Sequence, residues 1–81
     1  MTEDEIRATV LQILGEIAPE ADLAHINPAV NLRDQLDIDS MDFLNFVVAL
    51  HERLHIDIPE SDYPKVATLN TCVVYLSARL L

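Results

Sequence analysis

The chain is short of most residues on which small proteins build chemistry. Among its 81 residues it has one cysteine, Cys72, so it cannot form an internal disulfide, and with only three histidines a structural zinc site has few ligands to draw on. Basic residues are scarce: five Lys and Arg stand against fourteen Asp and Glu, a formal net charge of −9. That balance repels nucleic acid and anionic membranes and favours partners that offer Arg and Lys patches. No apolar run approaches the roughly 20 residues that cross a bilayer, and the start, Met1-Thr2-Glu3-Asp4-Glu5, is acidic where a secretory leader would be basic. The expectation is a cytoplasmic, monomeric protein with no nucleic-acid partner and no membrane insertion. With one glycine, four prolines and no internal repeat, the sequence fits a helical domain with definite breaks. Its length gives a single domain over residues 1–81, without room for a catalytic cleft of ordinary enzyme size.

Hydrophobic spacing predicts an all-α fold, a small four-helix bundle of three main helices and one short one, with a long loop between the first and second. Thr2 with Glu5 forms a capping box, after which Ile6, Val10, Ile13, Leu14 and Ile17 recur at helical spacing until Ala18-Pro19. The period then fails as far as Ile38, with Pro19 and Pro28 as breakers. Leu23, Ile26, Val30, Leu32 and Leu36 are nevertheless too many apolar residues for a free linker, so this loop should lie on the core, with a helical turn near Leu32 to Leu36. The second main helix runs from Ser40 to Leu54, before the extended exit Ile56-Asp57-Ile58-Pro59. A short helical piece spans Ser61 to Val66, and the last helix starts at Thr68 as N-cap, with Leu69, Cys72, Val73, Leu76 and Leu80 on one face. Cys72 reads as a small core residue.

The junction Leu36-Asp37-Ile38-Asp39-Ser40-Met41-Asp42-Phe43-Leu44 holds the clearest functional signal. Asp39 suits the N-cap, Asp42 closes a capping-box-like arrangement, and Ile38 and Phe43 occupy the positions of a hydrophobic staple. Ser40 falls at the first helical position, facing water. A serine used only to cap would stand where Asp39 stands, so its hydroxyl is left for other work. Around the helix that follows, Phe43, Phe46, Val47, Leu50 and Leu54 form the core face. Met41, Leu44 and Val48 form a second apolar stripe, bordered by Asn45, His51, Glu52 and His55; it is either covered by the long loop or, the favoured reading, a docking surface beside Ser40.

One motif competes. His51-Glu52-Arg53-Leu54-His55 fits H-E-x-x-H, which on a helix sets two imidazoles on one side for zinc with the glutamate as general base, and alone it predicts a zinc hydrolase. No histidine follows His55, the helix ends at once, and Glu60, Asp62 or His25 could complete a site only by accident of loop geometry. No metal is therefore expected, and the histidines decorate the last turns, where a cation suits the helix dipole. Asp37, Asp39 and Asp42 invite a calcium-loop reading, but the required glycine and later glutamate are missing.

Asp39-Ser40-Met41, the helix after it, the Ile56-Asp57-Ile58-Pro59 exit, and Thr68-Leu69 leading to Tyr75-Leu76 together resemble the acyl carrier proteins, over nearly the whole chain. The resemblance implies no enzyme activity of its own. It implies 4′-phosphopantetheine attached to Ser40 by a phosphopantetheinyl transferase from coenzyme A, and acyl groups carried as thioesters to enzymes of fatty-acid, polyketide or related biosynthesis. By matching positions, docking to acyl-loading and acyl-processing enzymes with basic surfaces falls on Asp39, Met41, Asp42, Leu44, Asn45, Val48 and Glu52. Asp34, Asp37, Asp39 and Asp42 would steer such partners in. Val47, Leu50, Ile58, Val66 and Val73 are candidates for lining an interior acyl pocket, against the plainer reading of a filled core. Two departures bear on partners: the family usually has glycine where this chain has Asp37, and its recognition helix is usually more acidic than Asn45, His51, Arg53 and His55 allow. They point to a specialised stand-alone carrier; the alternative is an unmodified carrier-like interaction module.

Overall fold

The computed structural model describes residues 1–80. Among them there is no strand. The order is α1 (Glu3–Ile17), a 3₁₀ turn (Leu23–His25), α2 (Leu32–Leu36), α3 (Ser40–Leu54), a 3₁₀ segment (Glu60–Val66) and α4 (Leu69–Leu80). The all-α expectation holds, and the three main helices begin within a residue of where the spacing put them.

Helix α1 opens on the capping box: the Glu5 N–H donates to the Thr2 hydroxyl at 3.2 Å, and the Thr2 N–H donates to the Glu5 carboxylate at 2.9 Å. The backbone bond from Thr2, followed by its hydroxyl, holds the Glu5 carboxyl below its ordinary range. Glu3, Asp4 and Glu5 all lie in the first turn, where negative charge offsets the helix dipole. Ile6, Val10, Ile13 and Leu14 then form a buried row against α3 and α4. Arg53 of α3 also pairs with Glu16 of α1 at the surface.

The long crossing from α1 to α3 lies on the core as predicted, with Leu32 fully buried and Leu23, Ile26 and Leu36 packed against the interior, whereas Val30 is exposed. The lone glycine helps to seat it. A Cβ on Gly15, in the last turn of α1, would come within 3.2 Å of Leu23 Cδ1, so this glycine lets the crossing close on the helix. Backbone groups without a helix to satisfy them find other partners. The Gln35 amide nitrogen donates to the Asn27 and Val30 carbonyls at 2.8 and 2.9 Å, and its oxygen accepts the Asn27 N–H at 3.0 Å. The crossing is tied to the start of α4 by Leu32 N–H to Ala67 C=O (2.8 Å) and Asn70 N–H to Pro28 C=O (3.0 Å).

Thr68 caps α4, its hydroxyl accepting the Thr71 N–H at 3.2 Å. The buried face carries Leu69, Cys72, Val73, Tyr75 and Leu76. Cys72 has no exposed surface, and burial pushes its thiol up to about 12. Asp62, mid-way along the 3₁₀ segment, clamps that segment to α4: it accepts from the Tyr75 hydroxyl at 2.7 Å and from Arg79 at 3.2 Å, with Lys65 at 3.4 Å. Arg79 also stacks over the Tyr75 ring, 3.7 Å from its centroid.

Candidate functional site

The corner between α2 and α3 is built on a left-handed residue. Asp37 closes α2 at φ 54°, ψ 44°, its N–H bonded to the Arg33 carbonyl, which also accepts the Ile38 N–H at 3.3 Å. This conformation favours glycine, with aspartate among the better-tolerated alternatives. The departure noted at Asp37 is therefore a left-handed cap kept without glycine. Asp39 follows in extended conformation and its carboxylate accepts the Asp42 N–H at 2.9 Å. Asp39 does the capping, and Ser40 stands exposed at the first position of α3.

One local expectation at this junction is corrected. The reciprocal half of the capping box, Asp39 N–H to the Asp42 carboxylate, is not formed; aspartate is one methylene shorter than the glutamate that completes the Thr2 box. Ile38 is buried, and the half-buried Phe43 ring stands against Tyr63 and Phe46, with centroids 6.3 and 5.9 Å away.

The second stripe lies open, with Met41 62% exposed, Leu44 39% and Val48 43%. Asn45 and Glu52 are exposed beside it, as are Asp34, Asp37 and Asp39 around the corner. Asp42 is half-buried on another flank, lining a cleft of about 590 Å³ with Pro19, Asp22, His25 and Asp37. Ser40 itself borders a groove of about 510 Å³ formed with Arg33, Met41, Phe43, Leu44, Glu60 and Tyr63. A second groove of about 490 Å³ runs along α3 past Val47, Val48, His51, Ile58 and Tyr63. Of the five pocket candidates, Val47 and Ile58 border this second groove, while Leu50, Val66 and Val73 lie in the core at 0–1% exposure. Sequence reasoning missed Arg33, Glu60 and Tyr63 as neighbours of Ser40. They arrive from two other elements, and no spacing in the chain signals it.

The H-E-x-x-H motif does not make a metal centre. His55 is the left-handed cap of α3 at φ 56°, outside the helical register that would align it with His51. His51 Nδ1 donates to the Ile56 carbonyl at 2.7 Å, with Asp57 at 3.5 Å. His25 is held by Asp22 at 2.6 Å and Asp62 by Tyr75 and Arg79, so neither supplies a third ligand. Among the described residues no group of three or more His, Cys, Asp or Glu side chains is placed to hold a metal ion.

Residues 4–76 match the model of the family described as phosphopantetheine attachment site. The chain belongs to this family. Among its relatives, the acyl carrier protein of Lactobacillus johnsonii is 31% identical over 78 residues, 96% of each chain, and that of Helicobacter hepaticus is 30% identical over 77 residues, 95% of each. The acyl carrier protein of Acidothermus cellulolyticus is 28% identical over 79 residues, 95% of this chain and 90% of that one. Membership implies a covalently attached 4′-phosphopantetheine and makes the chain a carrier, not an enzyme, serving transferases and biosynthetic enzymes. No helix among the described residues is long and apolar enough to cross a membrane.

Proposed function

We propose that this chain is a specialised stand-alone acyl carrier of the cytoplasm, acting as a monomer, with Ser40 as the attachment point of its arm. The observation that carries this reading is the division of labour at the start of α3: Asp39 caps the helix and leaves the Ser40 hydroxyl exposed within the matched family region. The surroundings fit a phosphodiester. First-turn backbone N–H groups have no intrahelical acceptor, the helix dipole favours an anion there, and Arg33, one of only five basic residues, borders the same groove. When bound, the group supplies a terminal thiol for thioester formation. The chain's own residues anchor it, steer partners and offer the Met41, Leu44 and Val48 stripe for docking, with Asp39, Asn45 and Glu52 beside it and Asp42 on the neighbouring flank.

Fatty-acid, polyketide or related biosynthesis is the proposed service, with a phosphopantetheinyl transferase and acyl-processing enzymes of basic surface as partners. Mixed residues on α3 support a specialised role, since Asn45, His51 and His55 stand on its exposed side and Arg53 is paired with Glu16. Incubation of the apo-protein with coenzyme A, Mg²⁺ and a broad-specificity phosphopantetheinyl transferase tests the attachment by intact mass. Wild type should gain one phosphopantetheine unit and Ser40→Ala none; no gain with several transferases would favour an unmodified interaction module. Efficient replacement of the general carrier in a reconstituted fatty-acid synthase would overturn the specialised role.

A further inference from the structure

Tyr63 belongs to both grooves beside α3. It closes one side of the Ser40 groove and one end of the groove past Val47 and Ile58, and its ring meets Phe43 edge-on at 6.3 Å. Phe43 in turn packs on Phe46, which is fully buried. Behind this pair Leu50, Val66 and Val73 are closed off from the surface, at 0–1% exposure. An acyl chain starting from an arm at Ser40 and heading for the apolar surface of Val47 and Ile58 therefore meets two aromatic rings in contact.

We propose that Phe43 and Tyr63 form an aromatic partition that sets the cargo class of this carrier: short acyl groups, or groups presented outside the fold, rather than long chains sheltered between α3 and the 3₁₀ segment. The proposal rests on Ser40 as the attachment point. Both rings are only half-buried, and Tyr63 stands on the 3₁₀ segment, which Asp62 fastens to α4. The partition is thus held from the α4 side. Cutting Tyr63 back to a methyl group would join the two grooves into one continuous apolar track, and each methylene that moved from water into it would favour the sheltered state by roughly a factor of four.

The test loads butyryl and octanoyl groups onto the wild-type carrier and onto Tyr63→Ala, and compares thioester hydrolysis with that of the free acyl-pantetheines. Wild type should leave octanoyl as labile as its free counterpart, whereas Tyr63→Ala should slow octanoyl hydrolysis about fivefold or more and leave butyryl unchanged. If Tyr63→Ala loses its helical circular dichroism, Tyr63→Leu and Phe43→Leu, which keep apolar bulk, take its place. Wild-type protection of octanoyl, or folded variants that protect no better than wild type, would overturn the partition. Failure of wild type to load at all is seen by mass and counts against Ser40, not against the partition. The partition is then read without an arm, by titrating octanol into both proteins and following amide shifts at Leu44 in one groove and Ile58 in the other. Shifts at both positions with one shared affinity in Tyr63→Ala alone support it, and the same pattern in both proteins, or no joint shift in the variant, refutes it.

Discussion

The Asp39 carboxylate accepts the Asp42 N–H at 2.9 Å, one residue before the exposed Ser40. Capping and steering are thus combined in one side chain and can be separated. Asp39→Ala should cost about 1 kcal/mol of stability through the lost cap. Asp39→Asn keeps a capping oxygen and should melt close to wild type, while slowing loading by the transferase at low ionic strength, since only the charge is lost. Thermal melts beside loading rates at two salt concentrations check both outcomes.

Asp37 holds a positive φ of 54° that an L side chain adopts at a cost. Asp37→Gly should therefore stabilise the fold by about 0.5–1 kcal/mol, and Asp37→Val should destabilise it by more than that, because a β-branched side chain is poorly tolerated in this conformation. Urea unfolding of the two variants would show the opposite shifts in midpoint.

The Asp62 carboxyl is held below its ordinary range, first by the Tyr75 hydroxyl and then by Lys65 and Arg79, against the opposing effect of burial. A carboxyl whose folded pKa is depressed contributes stability that is present above its unfolded pKa, about 3.9, and lost as pH falls through the folded value. Tyr75→Phe should be less stable than wild type at neutral pH, and the gap should narrow on acidification below about pH 4. A constant gap from pH 7 to pH 2.5, measured by urea unfolding, would count against the clamp; those two pH values bracket the unfolded carboxyl range.

Cys72 is fully buried with its thiol pushed up to about 12. Iodoacetamide near pH 8, just below the ordinary thiol range of about 8.5, should modify it only after denaturation, so any fast-reacting thiol on the folded, loaded protein belongs to the arm. Cys72→Ser should lose about 1–3 kcal/mol by burying a hydroxyl without an assured partner. Labelling followed by mass spectrometry, with and without urea, decides the first point.

What the sequence made legible was local. The Thr2–Glu5 box, the Asp39 cap and the Thr68 cap are contacts between residues three apart, and the stripes of α3 follow from its helical period. Geometry finer than spacing was lost: the letters at Asp39 and Asp42 suggested a reciprocal box that one missing methylene prevents. Phe43, given a place in a local staple by its spacing from Ile38, also stands against Tyr63, a neighbour that no local spacing announces. The groove at Ser40 could not be read at all, because Arg33 and Tyr63 reach it through the packing of separate elements. His51-Glu52-Arg53-Leu54-His55 shows the converse, a pattern with a chemical meaning on a continuous helix that a left-handed cap at His55 dissolves.

Gln35 gathers the polar ties of the turn at residues 27–30 into one side chain. One amide serves two carbonyls and one N–H from Asn27 to Val30, groups that helix or sheet would otherwise satisfy one by one. Such a turn does not fray residue by residue, and hydrogen exchange along it should show one shared opening energy rather than a gradient.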